Sequence, residues 1–254
     1  MKPIITADDF GIDEGSTEVI VESLARGLVT HASLLVNLGY ADQACELARA
    51  RGVDSRIGVH LNFSQGEPMT SAIKRSGLFC ANGEFLPVED FPRYRRLNLE
   101  QTLLVAGEVR AQLRAAAARG ITPSHVDSHN DIHIAPSMAR IVAAVARELQ
   151  IPRVRISRNC GIRQGVVRRF QHQSYNAWLA RQGLRCVEYL GTIEDMIWLG
   201  RRGQFGRGVP VEIMTHPRKG AGGEIVDLPS GEPLETRLKR LSAYLKPLPG
   251  SAPG

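Results

Sequence analysis

Residues 124–133, SHVDSHNDIH, set His125, Asp127, His129, Asp131 and His133 at every second position, with Ser124, Val126, Ser128, Asn130 and Ile132 between them. On an extended chain, side chains two apart project to the same side. His125, Asp127 and His129 therefore share one polar edge of a strand. A helical i,i+4 spacing would also pair His125 with His129, but Pro123 and the β-branched Val126 favour extended backbone. Imidazoles and carboxylates at this density bind a divalent metal or move protons. Any one of these histidines alone reads equally well as a hydrogen-bonded core or surface residue; the gathering is what points to chemistry.

Partners stand elsewhere in the chain: Asp8 and Asp9 in "TADDFG", His60 in "GVHL" and His216 in "MTHP". Asp9 and His60, added to the 124–133 cluster, supply two neutral imidazoles and a carboxylate with positions left open, the donor set of a hydrolytic metal site. An ion so held polarises a carbonyl oxygen and eases the deprotonation of water. Hydrolysis then needs a base for the water and an acid for the departing amine. Asp8 is the candidate base and His216 the candidate acid. The other members of the cluster, His125, Asp127, Asp131 and His133, are expected to bind substrate.

These residues must be brought together by the elements that carry them. Apolar runs at 2–6, 29–37, 56–63, 123–129, 153–157, 185–190 and 209–216 read as strands. Helical periodicity predicts helices over 15–26, 40–51, 99–119, 135–149, 172–182, 192–201 and 231–245. Seven βα units imply parallel pairing, and Asp8/Asp9, His60, the 125–129 cluster and His216 each fall at the C-terminal end of a predicted strand. In a (β/α) barrel those ends converge on one mouth, so the expected fold is a distorted, TIM-barrel-like (β/α) barrel of about seven parallel strands. Residues 64–98, rich in Gly and Pro and without a period, read as a substrate loop. The expected organisation is one catalytic domain over residues 1–246 with a disordered tail at 247–254.

With 254 residues, 43% of them hydrophobic, the chain is long enough to bury a substantial core. No stretch approaches the ~18 uninterrupted apolar residues of a membrane span, and the acidic start leaves no room for a secretory leader, which points to a cytosolic protein. Four cysteines without C-x-x-C spacing argue against a disulfide framework or a zinc knuckle. The net charge of +6 comes mainly from arginine. Eight arginines (Arg153, Arg155, Arg158, Arg163, Arg168, Arg169, Arg181, Arg185) lie between Ile151 and Arg185 with no acid among them. They read either as a solvated basic face or as a binding surface for an anionic partner such as phosphate. Nucleic acid is disfavoured, because no aromatic RNA motif or helix-turn-helix pattern accompanies them.

The motifs "TADDFGI", "GLVTHASLLVN", "IGVHLNFSQGEPMT", "PSHVDSH" and "EIMTHP" in this order resemble the YdjC-like carbohydrate deacetylases, the family that includes chitooligosaccharide deacetylases and hopanoid-cluster relatives. The resemblance implies removal of an N-acetyl group from an amino sugar with one divalent ion, Mg²⁺ or Zn²⁺. It further implies Asp9, His60 and His129 as metal ligands, Asp8 as general base, His216 as general acid, and Arg155 as the residue that orients Asp8. The family usually continues "DSHHHVH"; here Asn130 and Asp131 replace two histidines while His133 is kept. That change and the acid-free arginine run suggest an anionic amino-sugar substrate, phosphorylated or nucleotide- or lipid-linked. Metal-assisted phosphoester hydrolysis and a non-catalytic glycan-binding scaffold are the competing readings. Neither nucleic acid nor an integral membrane segment is expected as partner, and a homodimer is left open.

Overall fold

A computed structural model describes residues 3–160, 166–203, 209–228 and 230–245. Strands and helices alternate. The elements are β1 (Ile4–Phe10), α1 (Glu14–Ala25), β2 (His31–Leu34), α2 (Ala41–Ala50) and β3 (Ile57–Leu61). An excursion follows with α3 (Ser71–Lys74) and a hairpin of β4 (Cys80–Ala81) and β5 (Glu84–Phe85). The chain then forms α4 (Leu99–Ala118), β6 (Val126–Ser128), α5 (Pro136–Glu148), α6 (Val166–Ala180), β7 (Tyr189–Gly191), α7 (Ile193–Arg201) and β8 (Val211–Thr215), and ends with the hairpin β9 (Pro217–Lys219) and β10 (Ile225–Asp227) before α8 (Leu234–Leu245).

Six strands pair in the order β6-β3-β2-β1-β8-β7, every neighbour parallel. Beyond β6 the curl continues through single bridges, Val126 to Val154 and Arg153 to Arg185. The Arg155 N–H donates to the Val126 carbonyl at 3.0 Å, and the Arg185 N–H to that of Pro152 at 3.2 Å. The architecture is the expected distorted (β/α) barrel. The predicted strand at 153–157 survives only as bridge residues. Pro152, which has no N–H to donate, shortens its ladder. The hairpin β9–β10 was not foreseen, and the predicted tail at 247–254 lies outside the described residues. Among the described residues no helix is long and apolar enough to cross a membrane.

Parity decides which side chains face inward. Ala7, Ala32, Leu34, Val59, Leu61, Val126, Val154 and Ile213 are fully or almost fully buried in the apolar core against the surrounding helices. The alternate positions, Thr6, Asp8, Ser33, His60, His125, Asp127, Arg153, Arg155 and Glu212, are also buried but bond to one another. Barrel interiors are usually filled by branched aliphatics; this one is filled by a polar network. The network excludes bulk at one position in particular. A Cβ on Gly58 would lie 2.4 Å from the His125 ring. Gly58→Ala is accordingly expected to lower stability by ~1–3 kcal/mol, read as a lower urea midpoint; an unchanged midpoint would mean that the ring is not held there.

The excursion at 64–98 is anchored rather than loose. Phe63, Phe79, Phe85 and Tyr94 pack as an aromatic cluster, with Phe79 and Tyr94 stacked at 5.1 Å. Buried Glu108 on α4 accepts from the backbone N–H groups of Met69 and Thr70, each at 2.8 Å. Its start reaches the mouth, where the Asn130 amide donates to Ser64 Oγ at 3.2 Å.

Candidate metal centre

Strict alternation along β1 would send Asp8 into the barrel and Asp9 out of it. Instead the register against β2 shifts between Ala7 and Phe10, and Asp9 adopts φ 66°, in the left-handed region. That conformation costs a non-glycine residue on the order of 1–3 kcal/mol, although Asp tolerates it better than most. The kink turns Asp9 back toward the mouth. Its Oδ1 stands 2.9 Å from His129 Nδ1 and 3.5 Å from His60 Nε2. Ligand-capable atoms of Asp9, His60 and His129 all lie within 4.8 Å of one another.

The donor chemistry fits a cation. His60 Nδ1 sits 2.8 Å from Asp127 Oδ1, and Asp127 is fully buried against the Arg155 guanidinium. That bonding assigns the Nδ1 proton to the Asp127 side and turns Nε2 toward Asp9, the carboxylate–imidazole arrangement that stands behind metal-binding histidines. The site also attracts positive charge. Burial alone would lower the His60 pKa, yet Asp127, Asp8 and Asp9 push it up to about 9. Burial likewise tends to raise Asp9, but the hydrogen bond from His129 and the charges of His60, His129 and His216 hold it well below the usual carboxylate range.

Asp8 lies beside this triad, buried, with both oxygens held by Arg155: Nη1 to Oδ2 and Nη2 to Oδ1, each 2.7 Å. Arg155 Nη2 is also 2.8 Å from Asp127 Oδ2, and Nε donates to Glu212 Oε1 at 3.0 Å. Asp8, His60 and Asp127 form a second group of metal-capable atoms within 4.8 Å. Arg155 lies against both carboxylates of that group, so a guanidinium already neutralises them. His216 follows β8; its backbone N–H donates to Asp227 Oδ1 at 2.8 Å, and Arg237 pairs with the other Asp227 oxygen. The His216 side chain is half-buried, and its charge is among those that lower Asp9.

The structure divides the 124–133 cluster. The strand ends at Ser128, and the chain turns through Asn130 and Asp131 at φ 56° and 57°, so the two-residue alternation stops at His129. Asn and Asp enter the left-handed region more readily than other non-glycine residues, which suits them to this turn. His125 and Asp127, expected to bind substrate, are interior. His125 Nε2 is 2.9 Å from Ser33 Oγ, and burial together with Arg153 pushes its pKa down to about 3. His133 is also fully buried, with Nδ1 2.6 Å from Ser128 Oγ. None of these three presents surface to the mouth. Asp131 does face open space: it lines a cavity of about 700 Å³ with Asn130, Arg95, Arg140, Tyr175 and Trp178. Asp9, His60 and His129 do not line that cavity, but the 129–134 turn borders both it and them.

The arginine run also divides. Arg153 and Arg155 are interior and paired with Glu212, Asp8 and Asp127; Arg158 pairs with Asp195; Arg181 and Arg185 are exposed. Arg163 and the side chains of Arg168 and Arg169 lie outside the described residues. Glu212, Ser33 and Asp227 belong to the site and were not anticipated. Glu212 had a signal: a lone acid in the buried strand "VPVEIMTH" requires a buried cation, and "RVRIS" supplies two.

The sequence model of a family described as YdjC-like protein matches residues 2–228. A protein of Danio rerio named carbohydrate deacetylase is 31% identical over 193 residues, covering 74% of this chain and 60% of that protein. A carbohydrate deacetylase of Vibrio parahaemolyticus is 30% identical over 220 residues, covering 85% and 78%. The chain spans about 60% of the length of the first curated relatives it matches. A crystal structure from Enterococcus faecalis V583, described as a candidate cellobiose-phosphate cleavage protein, superposes with TM-score 0.68 at 24% identity, covering 96% of this chain and 90% of that one. At that identity it shows a shared fold.

Proposed function

We propose, from the premise that the chain belongs to the YdjC-like family, that it is a carbohydrate deacetylase that hydrolyses the N-acetyl group of an amino sugar. The observation that carries this reading is the meeting of Asp9, His60 and His129 beside an Asp8 clamped by Arg155. Asp9, His60 and His129 would hold one divalent ion; two imidazoles and one carboxylate suit Zn²⁺ better than Mg²⁺. Bound there, the ion supplies positive charge that polarises the amide carbonyl and acidifies water.

The chain's own groups complete the hydrolysis. Asp8 retains lone pairs beyond those facing Arg155 and takes the proton of the attacking water. His216 gives a proton to the nitrogen as the C–N bond breaks, leaving acetate and a free amine. Asp131 and the adjoining cavity receive the rest of the substrate. Arg95 and Arg140 in its lining favour an anionic group on that portion, which keeps the anionic-substrate reading alive although the arginine run itself has dispersed.

Acetate release across N-acetylated amino sugars, neutral and phosphorylated, with and without a chelator, tests the proposal. Chelator-sensitive acetate is expected, with the anionic sugars preferred; chelator-insensitive release overturns the metal role, and efficient turnover of neutral N,N'-diacetylchitobiose alone overturns the anionic one. Phosphoester hydrolysis would release phosphate instead. A two-ion version of that chemistry is opposed by Arg155, which occupies the second carboxylate group.

A further inference from the structure

We propose that Glu212 is a positioning residue for the deacetylation step, acting through Arg155 on Asp8; the inference rests on the deacetylase reading above. Glu212 lies on β8 four residues before His216 and is 1% exposed, so it touches neither substrate nor solvent. Its carboxylate gathers three donors. Arg155 Nε and Thr6 Oγ1 each donate to Oε1 at 3.0 Å, and Arg153 Nη1 donates to Oε2 at 3.0 Å.

A guanidinium is a rigid planar fork. Fixing its Nε edge fixes the plane in which Nη1 and Nη2 lie. With Nε held by Glu212, both Nη atoms reach Asp8, and Nη2 reaches Asp127 as well. Asp127 in turn holds His60 Nδ1. One buried acid therefore sets the orientation of the base through a single intermediary. Asp8 and Asp127 engage only the Nη end of the guanidinium, and Glu212 supplies the contact at Nε. Glu212 also bridges Arg153 and Arg155, so its charge offsets the repulsion between the two guanidiniums.

Two substitutions separate positioning from mere support. Glu212→Gln keeps the volume and one acceptor, but sets an amide N–H₂ against either Arg155 Nε or Arg153 Nη1. Thr6→Val keeps the β-branched shape and removes one of the three bonds that orient the carboxylate. Wild type, both variants and Asp8→Asn are assayed for acetate release from whichever N-acetylated sugar wild type turns over. Thermal midpoints and Zn²⁺ affinity are measured alongside.

A small loss of aim at a reacting group costs rate rather than binding, so Glu212→Gln is expected to lower kcat by ~10–100-fold with KM within about twofold. Zn²⁺ affinity should stay within about threefold, because the triad keeps its own atoms and Asp127 keeps its Arg155 and Ser33 bonds. Thr6→Val should lower kcat by ~2–5-fold without a matching fall in thermal midpoint. Wild-type kcat in both variants overturns the positioning role. So does a kcat loss that only tracks unfolding, or one shared equally with KM. If Glu212→Gln does not fold, Thr6→Val decides. Absence of acetate from every sugar with wild type overturns the deacetylase reading itself and takes this role with it, a result distinct from an active wild type matched by its variants.

Discussion

Asp8→Asn is expected to abolish most turnover, by ~10²–10⁴-fold in kcat, while the protein stays folded and still binds Zn²⁺. The substitution preserves shape in a site where Asp8 is 2% exposed. It removes the negative charge and turns one oxygen that faces Arg155 into a donor, so the proton acceptor is lost. The Asp9, His60 and His129 atoms are untouched, and no metal-capable atom of that triad depends on Asp8 for a hydrogen bond. A non-catalytic binding scaffold would keep its sugar affinity and show no rate to lose. Full turnover by Asp8→Asn, with circular dichroism unchanged, would remove Asp8 from the role of base.

Arg155→Met should produce the largest loss of stability, on the order of 3–5 kcal/mol, because removing one partner of a buried ion network strands the others. Three carboxylates, Asp8, Asp127 and Glu212, would lose their shared cation while remaining buried. The pH dependence follows from Glu212. Burial raises its pKa, but Arg155 and then Arg153 outweigh that and bring it down to about 2 from an ordinary 4.5. A group whose folded pKa is depressed contributes stability above its unfolded pKa and loses it as pH falls through the folded value. In the wild type this contribution is complete at pH 7 and declines between about 4.5 and 2. In Arg155→Met, Glu212 and Asp127 lose the cation that holds their pKa values down and protonate more readily, so the stability gap between the two proteins should narrow on acidification. Urea midpoints at neutral and acidic pH measure the gap. A gap that stays constant with pH would show that lost packing, not charge, sets the cost.

How far these features could be read from residues alone varies by element. The strands at the first, second, third and last sheet positions in sequence were legible because each is a short apolar run whose alternate residues carry hydroxyl, imidazole or charge, as in "RIGVHLNF" and "THASLLVN", whereas the run at 185–190 meets β7 only at its last two residues. That pattern fits a sheet packed on helices outside and on a polar network inside. The hairpin β9–β10 escaped notice because two three-residue strands around "GAGGE" offer too few positions for a period.

At the site, the parity argument held through His129 and then failed for Asp131 and His133, because Asn130 and Asp131 enter the left-handed region and end the extended chain. The same rule would have sent Asp8 and Asp9 to opposite faces; only the kink at Asp9, invisible in residue types, brings both to the mouth. Arg155 could be named from the resemblance, but its grip on three carboxylates needed the fold. Two of those acids are 147 and 57 residues away in sequence.

The direct test of the metal centre is a crystal of the full chain grown with Zn²⁺, its anomalous difference map measured at the zinc absorption edge. One peak per chain, within ~2.0–2.2 Å of an Asp9 oxygen and of nitrogens of His60 and His129, and absent from Asp9→Asn crystals, is the expected result. A peak held by other residues, or a zinc-saturated protein whose Asp9, His60 and His129 carry none, would contradict it.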